Sequence, residues 1–276
     1  MGIIGAFAEF RKKRKQQKYE RNKLKKIALF SKKYGVKEHD DYLFQKDTEQ
    51  DNYLKVLKQK IRDQQISMLG EHKLDTLRYC TEDCLKQGID GDIIETGVWR
   101  GGATIYLAGI LKAHGNTDKK VFVADSFEGL PPPDADKWPL DKGAKHHYRK
   151  DLAISLEEVK QNFKKFDLLG DNIVFVKGFF EDSLRTADIG KLSILRLDGD
   201  MYGSTMTVLE QLYHKLEIGG YLILDDWLLR GAREALLDFQ QKVGIEEAFY
   251  QDFSGVFFQK TKITAPPDQQ QMNQTI

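Results

Sequence analysis

Three acidic side chains follow two short apolar segments of this chain. Asp198 comes directly after Ile194–Leu197, and Asp225 and Asp226 come directly after Tyr221–Leu224. A segment of helical length lies between them, which predicts the order strand, helix, strand in a parallel sheet. Ligands bind outside the carboxyl ends of such strands, so the three carboxylates are expected to converge there. Oxygen ligands of this kind suit a hard divalent cation.

A second group of candidate residues lies in the turn after the first predicted strand. The turn reads Glu95-Thr96-Gly97-Val98-Trp99-Arg100-Gly101-Gly102. Glycines here let the backbone approach a ligand and expose a helix N-terminus to it. The turn lacks the Gly-x-Gly-x-x-Gly dinucleotide fingerprint, which argues against an NAD-linked oxidoreductase. Asp125 ends the next strand, where a carboxylate can accept both hydroxyls of a ribose.

Hydrophobic periodicity places these turns on one alternating α/β sheet. The predicted strands are Asp92–Thr96, Val121–Asp125, Ile173–Val176, Leu192–Leu197 and Tyr221–Asp225, with a terminal hairpin of Ala248–Asp252 and Gly255–Gln259. The predicted helices are Ala103–His114, Ser155–Leu168, Ser204–Leu216 and Ala232–Val243. Ser155 and Glu158 form a capping box, and Gly219-Gly220 is expected to end the Ser204–Leu216 helix. The stretch Gly129–Ile154 is expected to be irregular.

Composition restricts the class of protein. A length of 276 residues with 41% hydrophobic content is enough for one sizeable α/β core and a small accessory region. The net charge of +1 argues against a nucleic-acid binder. Cys80 and Cys84 have neither metal-site nor redox spacing, which favours a reduced cytoplasmic protein. No run approaches the roughly 20 apolar residues of a membrane span.

Positive charge is concentrated near the N-terminus. Residues 11–33 contain twelve lysines and arginines and a single acid, Glu20. This composition favours a basic arm over residues 1–50, helical or partly disordered, and peripheral contact with an anionic membrane or partner is the alternative. The predicted organisation continues with lead-in helices over 51–89, the main domain over 90–262 and a flexible tail over 263–276.

Four motifs together resemble a known family. They are Glu95–Gly102 (ETGVWRGG), Ala124–Pro131 (ADSFEGLP), Leu195–Thr205 (LRLDGDMYGST) and Gly219–Trp227 (GGYLILDDW). From about Ser67 to Lys260 the chain is similar to the macrocin and mycinamicin O-methyltransferases. The resemblance implies the Rossmann-like class I methyltransferase fold, with a seven-stranded, mostly parallel sheet, an antiparallel last strand, helices on both faces and an N-terminal helical extension. It also implies methyl transfer from S-adenosylmethionine (SAM) to a sugar hydroxyl of a glycosylated natural product or glycan.

The resemblance also assigns site residues. Asp198, Asp225 and Asp226 match the family's Mg²⁺ ligands, and Asp198 is placed among the catalytic and cofactor-binding residues as well. His146 matches the family's general base, with His147 as the alternative. The remaining cofactor-binding candidates are Glu95, Thr96, Gly97, Trp99, Arg100, Gly101, Asp125, Ser126 and Phe180. Phe180, or its neighbour Phe179, is expected to stack on adenine.

Two other classes of protein are possible alternatives. A metal-dependent glycosyltransferase using a nucleotide-sugar also carries Asp-x-Asp, as in Asp198-Gly199-Asp200. It would need neither the glycine turn paired with Asp125 nor the second pair Asp225-Asp226. A non-catalytic binding module has no reason to collect three acids at one sheet edge. We therefore expect a SAM- and Mg²⁺-dependent enzyme, a homo-oligomer like its relatives, whose acceptor is a sugar.

Overall fold

The computed structural model describes residues 2–39, 42, 44 and 46–263, with side chains placed from Arg14 onward apart from Gln16. The predicted tail beyond residue 263 lies outside the described residues. The α-helices are α1 (Gly2–Tyr34), α2 (Glu49–Asp63), α3 (Glu71–Gln87), α4 (Gly102–Ala113), α5 (Leu156–Lys165), α6 (Phe180–Thr186), α7 (Tyr202–Leu212) and α8 (Arg230–Val243). The strands are β1 (Asp92–Thr96), β2 (Val121–Asp125), β3 (Ile173–Lys177), β4 (Leu192–Leu197), β5 (Leu216–Leu224), β6 (Tyr250–Asp252) and β7 (Gly255–Gln259).

The seven strands form one sheet in the order β3-β2-β1-β4-β5-β7-β6. The first five strands in this order are mutually parallel, and β7 runs antiparallel to both of its neighbours. The predicted seven-stranded, mostly parallel sheet with an antiparallel last strand is confirmed. Each parallel connection returns the chain to the same edge, so the turns that carry chemistry all lie at the carboxyl ends of the strands.

Helices cover both faces of the sheet, as predicted. Successive residues of a strand point to opposite faces, so Ile93 joins the core under α2–α5 while Ile94 joins the core under α6–α8. The first core includes Leu57 of α2 and Leu74 of α3. These two helices therefore belong to the same packed unit as the sheet. Leu209 of α7 is completely buried on the opposite side.

Local sequence signals explain several helix ends. The Ser155 hydroxyl accepts the backbone N–H of Glu158 at 3.2 Å, which caps α5 as the sequence predicts. Gly88 ends α3 in the left-handed conformation, with φ +65°.

The expectation that Gly219-Gly220 ends a helix is wrong. Helix α7 ends at Leu212 and is followed by a single 3₁₀ turn, Tyr213–Lys215. Both glycines lie inside β5, where the pairing with β4 shifts register between Leu192 and Ile194. Gly219 has φ +86° at this irregularity. The glycine pair serves a bulge within the strand, and sequence alone does not separate a bulge from a helix end.

The basic N-terminal segment is helical and its second half packs on the domain. Ile27 of α1 is buried, and the Ser31 hydroxyl donates to Gln251 Oε1 at 2.7 Å. Tyr34 contacts Trp227, with ring centroids 5.4 Å apart. In the described part of the chain, no helix has both the length and the apolar character needed to cross a bilayer.

Candidate active site

Backbone hydrogen bonds continue the sheet into the turns that carry the acidic residues. Asp198 donates its N–H to the carbonyl of Thr96 at 2.9 Å, and Asp225 donates to the carbonyl of Leu197 at 2.9 Å. The register pairs Thr96 with Leu197 and Leu197 with Leu224. The tips of β1, β4 and β5 are therefore level, so residues far apart in sequence meet at one edge.

Asp198, Asp225 and Asp226 meet there, each offering a carboxylate oxygen within 4.8 Å of the others. Burial, reinforced by Asp198 and Asp200, raises the pKa of Asp226 well above its ordinary value. Burial and then Asp225 raise the pKa of Asp198, although Arg196 opposes the shift. Crowded carboxylates of this kind gain from a nearby cation because it reduces their repulsion.

Two buried cations already serve this cluster. Arg196, 1% exposed, donates to Asp198 Oδ2 at 3.0 Å and also to Asp225 and Glu95. Lys73 of α3 lies 2.7 Å from Asp225 Oδ2 and donates to the Asp225 carbonyl at 3.0 Å. Although burial works in the opposite direction, these two cations hold the pKa of Asp225 below its ordinary value. Asp226 instead accepts the Asp200 N–H at 2.9 Å, and the structure gives it no bond to a cationic side chain within the described residues.

The glycine turn passes close to the same cluster. Gly97 has φ +88°, and a Cβ at this position would lie 1.8 Å from the Asp198 carbonyl oxygen. Only glycine fits there. Beside it, Asp125 accepts the N–H groups of Val98 and Phe127, each at 2.8 Å. Burial raises the pKa of Asp125, and these backbone bonds oppose the rise.

A cleft of about 280 Å³ opens at this edge of the sheet. Its lining comprises Met68, Gly97, Trp99, Asp125, Ser126, Gly129–Pro132, Asp134, Trp138, Asp141, Leu152, Phe179–Asp182, Asp198–Met201, Gly203, Ser204 and Thr207. The lining contains seven acidic residues, and none of the described residues in it is Lys, Arg or His. The chemistry of the wall therefore suits a neutral or cationic ligand more than an anionic one.

Six of the ten cofactor-binding candidates lie on this wall. They are Gly97, Trp99, Asp125, Ser126, Phe180 and Asp198.

The other four candidates are directed elsewhere. The carboxylate of Glu95 is occupied by Arg196 and by the Thr104 hydroxyl. Thr96 donates to the Arg196 carbonyl at 3.2 Å. Arg100 donates to the Gln65 carbonyl at 3.3 Å, and Gly101 packs against α5, where an added Cβ would lie 2.9 Å from Val159. Their contacts make them supports of the turn.

The two candidate bases lie on one 3₁₀ turn, His146–Tyr148, and neither lines the cleft. Burial raises the pKa of Asp200, and the electrostatic interaction with His146 opposes this rise. His147 packs on Tyr148, with ring centroids 3.9 Å apart, and its buried Nδ1 has no hydrogen-bond partner among the described residues. Of the two histidines, His146 is therefore the one that interacts with a residue of the cleft lining.

Sequence reasoning missed the residue that anchors the irregular stretch over the cleft. Asp141 is 4% exposed and accepts the N–H groups of Tyr202 and Gly203 at 2.7 and 2.8 Å, at the start of α7. A carboxylate is favoured at a helix N-terminus because the first N–H groups are unpaired. Near these two hydrogen bonds, Trp138 packs against Tyr202, with ring centroids 5.5 Å apart.

Comparison with solved structures places this architecture in a known class. The structure of the O-methyltransferase NovP superposes with a TM-score of 0.70 and 42% sequence identity, over 71% of this chain and 82% of that one. A calicheamicin methyltransferase shares the fold at 16% identity, with a TM-score of 0.55 over 81% of this chain and 98% of that one. Fold and sequence together define a SAM-dependent O-methyltransferase.

The family can also be stated. Residues 6–260 match the model described as Macrocin-O-methyltransferase (TylF), and the chain belongs to this family. A relative from Streptomyces olivaceus, named 8-demethyl-8-(2,3-dimethoxy-alpha-L-rhamnosyl)-tetracenomycin-C 4'-O-methyltransferase, is 42% identical over 72% of this chain and 77% of its own. Mycinamicin III 3''-O-methyltransferase of Micromonospora griseorubida is 41% identical over 71% of this chain and 78% of its own. The predicted family is confirmed, and the model match extends into the basic arm.

Proposed function

We propose that this enzyme transfers the SAM methyl group to a sugar hydroxyl of a glycosylated small molecule or glycan. The observation that carries the proposal is that Gly97, Asp125 and Asp198 all line the cleft, and that Asp198 clusters with the two further aspartates Asp225 and Asp226. The relative from Streptomyces olivaceus is named for an acceptor with a rhamnosyl group, which supports a sugar as acceptor. The acidic wall favours a neutral acceptor and disfavours the diphosphate of a nucleotide-sugar, so we do not favour the glycosyltransferase alternative.

Three residues of the wall fit the parts of SAM. Asp125 keeps lone pairs available beyond its two backbone bonds, and these can accept the ribose hydroxyls. Phe180, half-buried beside the exposed Phe179, offers an aromatic face to adenine. Gly97 lines the cleft where the chain turns tightly against the Asp198 carbonyl, so its bare backbone is available to the methionine end. Methyl transfer removes positive charge from sulfur, and the apolar walls formed by Trp99 and Trp138 favour this by excluding water.

The aspartate cluster fits Mg²⁺. Its donors are carboxylate oxygens, the ligands that Mg²⁺ prefers. Burial and then the neighbouring carboxylates raise the pKa values of Asp198 and Asp226, and a cation would relieve the repulsion between these groups. We assign Asp198, Asp225 and Asp226 as the residues that would hold it. When bound, the ion lowers the pKa of a sugar hydroxyl and orients its oxygen.

We assign the general base to His146. The sugar oxygen attacks the methyl carbon, the carbon–sulfur bond breaks and the hydroxyl proton passes to the imidazole. Asp200, which interacts with His146, then stabilises the imidazolium. His147 remains the alternative, and the two are separated by comparing His146→Asn with His147→Asn in single-turnover assays. Only loss of the base lowers the rate of methyl transfer while SAM binding stays unchanged.

Calorimetric titration of SAM and of Mg²⁺ into the purified enzyme tests the cofactor assignments. We expect micromolar SAM binding to the wild type. Asp226→Asn should abolish Mg²⁺ binding while preserving the fold, because Asn can still accept the Asp200 N–H through its amide oxygen. Asp238→Asn is the matched control, since this carboxylate accepts a bond from the Tyr202 hydroxyl on the surface instead.

The outcomes separate the two enzyme classes. SAM binding with Mg²⁺ affinity lost only in Asp226→Asn supports the methyltransferase site as assigned. Binding of a nucleotide-sugar with metal, in the absence of SAM binding, would instead restore the glycosyltransferase. Equal Mg²⁺ affinity in Asp226→Asn and Asp238→Asn would refute the metal site.

We also propose that the enzyme is a cytoplasmic homo-oligomer. Val56 of α2 is 55% exposed, and a second copy covering it would remove this apolar side chain from water. Light scattering of the purified protein measures the mass directly, and a monomer would refute the oligomer.

A further inference from the structure

The part of α1 before Lys23 contributes no buried side chain among those that the structure describes. Every described side chain from Arg14 to Asn22 is exposed, whereas the burial of α1 begins near Lys23 and includes Ile27. An isolated helix of a few turns is marginal in water, and one that is polar on all sides lacks a core to stabilise it. The segment Arg14–Asn22 is therefore not stabilised by a core of its own, and an external surface would stabilise it.

The two sides of α1 differ in what they face. Ile27, Phe30 and Tyr34 recur at helical spacing and meet the domain, where Arg233 lies 4.4 Å from the Phe30 ring centroid. Arg14, Lys18, Arg21, Lys25 and Lys32 follow one another at spacings of three, four and seven residues. At about 100° per residue these five lie in one line on the opposite side of the helix. All five are exposed. The outward side of α1 is thus a row of cations from Arg14 to Lys25, and Lys32 follows after the exposed Ala28 and Leu29.

We propose that this row docks the enzyme on an anionic lipid surface. In the sequence, Ile3, Phe7 and Phe10 continue the same spacing towards the N-terminus, so the row begins with apolar residues and continues with cations. Apolar residues followed by Lys and Arg are typical of a helix that lies in a membrane interface. The proposal is independent of the methyl transfer proposed above.

Charge and composition favour lipid over a second copy of the chain. Pairing two α1 helices along this row would oppose cation against cation. A helix–helix seam also needs apolar residues at heptad positions, and from Arg14 to Asn22 the only large apolar side chain described is Tyr19. An anionic lipid surface needs no such seam, since each Lys or Arg near it contributes independently.

Co-sedimentation of the full-length enzyme with vesicles tests the docking. The vesicles are phosphatidylcholine alone or phosphatidylcholine with phosphatidylserine, and the variants are compared at equal salt. The test variant replaces four cations of the row: Arg14→Gln, Lys18→Gln, Arg21→Gln and Lys25→Gln. The control variant makes the same charge change at four exposed lysines of the domain: Lys60→Gln, Lys86→Gln, Lys120→Gln and Lys164→Gln.

We expect the wild type to bind only the vesicles that contain phosphatidylserine. The test variant should lose about 10²- to 10³-fold in partition coefficient, because each surface cation contributes about fivefold. The control should lose less than about tenfold. Equal losses in the two variants would overturn the proposal, since net charge alone would then explain binding. The proposal would also be overturned if the wild type failed to bind the vesicles, or if it preferred duplex DNA to them. Dissociation of an oligomer in the test variant alone would overturn it as well. SAM titration of the same samples is independent of all these outcomes.

Discussion

Lys73 offers the sharpest test of how positive charges balance Asp198, Asp225 and Asp226 at the carboxyl edge of the sheet, here called the acidic edge. We predict that Lys73→Met destabilises the enzyme mainly through Asp225, which loses the partner 2.7 Å from its Oδ2 and the donor to its carbonyl. Breaking a buried ion pair by removing one member costs about 3–5 kcal/mol. Arg196 still pairs with Asp225, whose side chain remains 15% exposed, so we expect about 2–4 kcal/mol.

The cost should depend on pH in a direction that the pKa shifts dictate. Burial alone would raise the pKa of Asp225, but Lys73 and Arg196 hold it below its ordinary value in the wild type. That carboxylate therefore stabilises the fold above about pH 4, and the contribution is lost as the pH falls through its lower folded pKa. Without Lys73 the effect of burial increases, the folded pKa rises, and protonation relieves the buried charge. The loss in the variant should thus be larger at pH 8 than at pH 5.

Urea unfolding at pH 5 and pH 8, with a metal chelator present, measures both effects. Lys58→Met is the matched control, because Lys58 pairs with Asp75 at 2.7 Å away from the acidic edge and both side chains are partly exposed. We expect at most about 1 kcal/mol there. A loss in Lys73→Met no greater than in Lys58→Met, or one that does not change between pH 5 and pH 8, would refute the reasoning.

Gly97, Asp252 and Asp141 each allow a further test by a single substitution. Gly97→Ala should abolish SAM binding and lower the melting temperature sharply, while Gly115→Ala, also at positive φ but with nothing within 4 Å, should cost only about 1–2 kcal/mol. Asp252→Asn should stabilise the enzyme at pH 8 and not at pH 4, because burial raises the pKa of Asp252 to about 6 and the charged form is costly above it; a melting temperature unchanged at pH 8 would contradict this. Asp141→Ala should speed proteolysis between Gly129 and Ile154 by freeing this stretch from α7, and an unchanged cleavage rate would count against the anchor.

The sheet and its acidic edge could be predicted because both depend on local patterns. Apolar runs ending in Asp125, Asp198 and Asp225 mark strands whose tips must meet once the strands are parallel. The Ser155 cap of α5 is equally local. The bulge at Gly219 depends on how β5 pairs with β4, which is not written in the neighbouring residues.

The two cations that pair with the aspartates, Arg196 and Lys73, were not predicted from the sequence. Arg196 carried a usable signal, since a charge inside the apolar run Leu192–Leu197 has to be paired when the strand is buried. That pairing also explains why Glu95 faces Arg196. Lys73 carried no signal, because a lysine on an amphipathic helix is ordinarily solvated. Only the docking of α3 brings it to Asp225.

The position of Lys73 has a consequence for the modularity of this protein. Leu74 and Leu77 of the same helix are at most 1% exposed and share a core with Ile93 of β1. A fragment beginning at Asp90 would therefore expose one apolar wall of its sheet and would also leave Asp225 with one cation instead of two. Helix α3 cannot be exchanged as a detachable extension without rebuilding the charge balance at the strand tips. Docking of α3 therefore supplies both apolar packing for the sheet and one of the two cations that pair with Asp225.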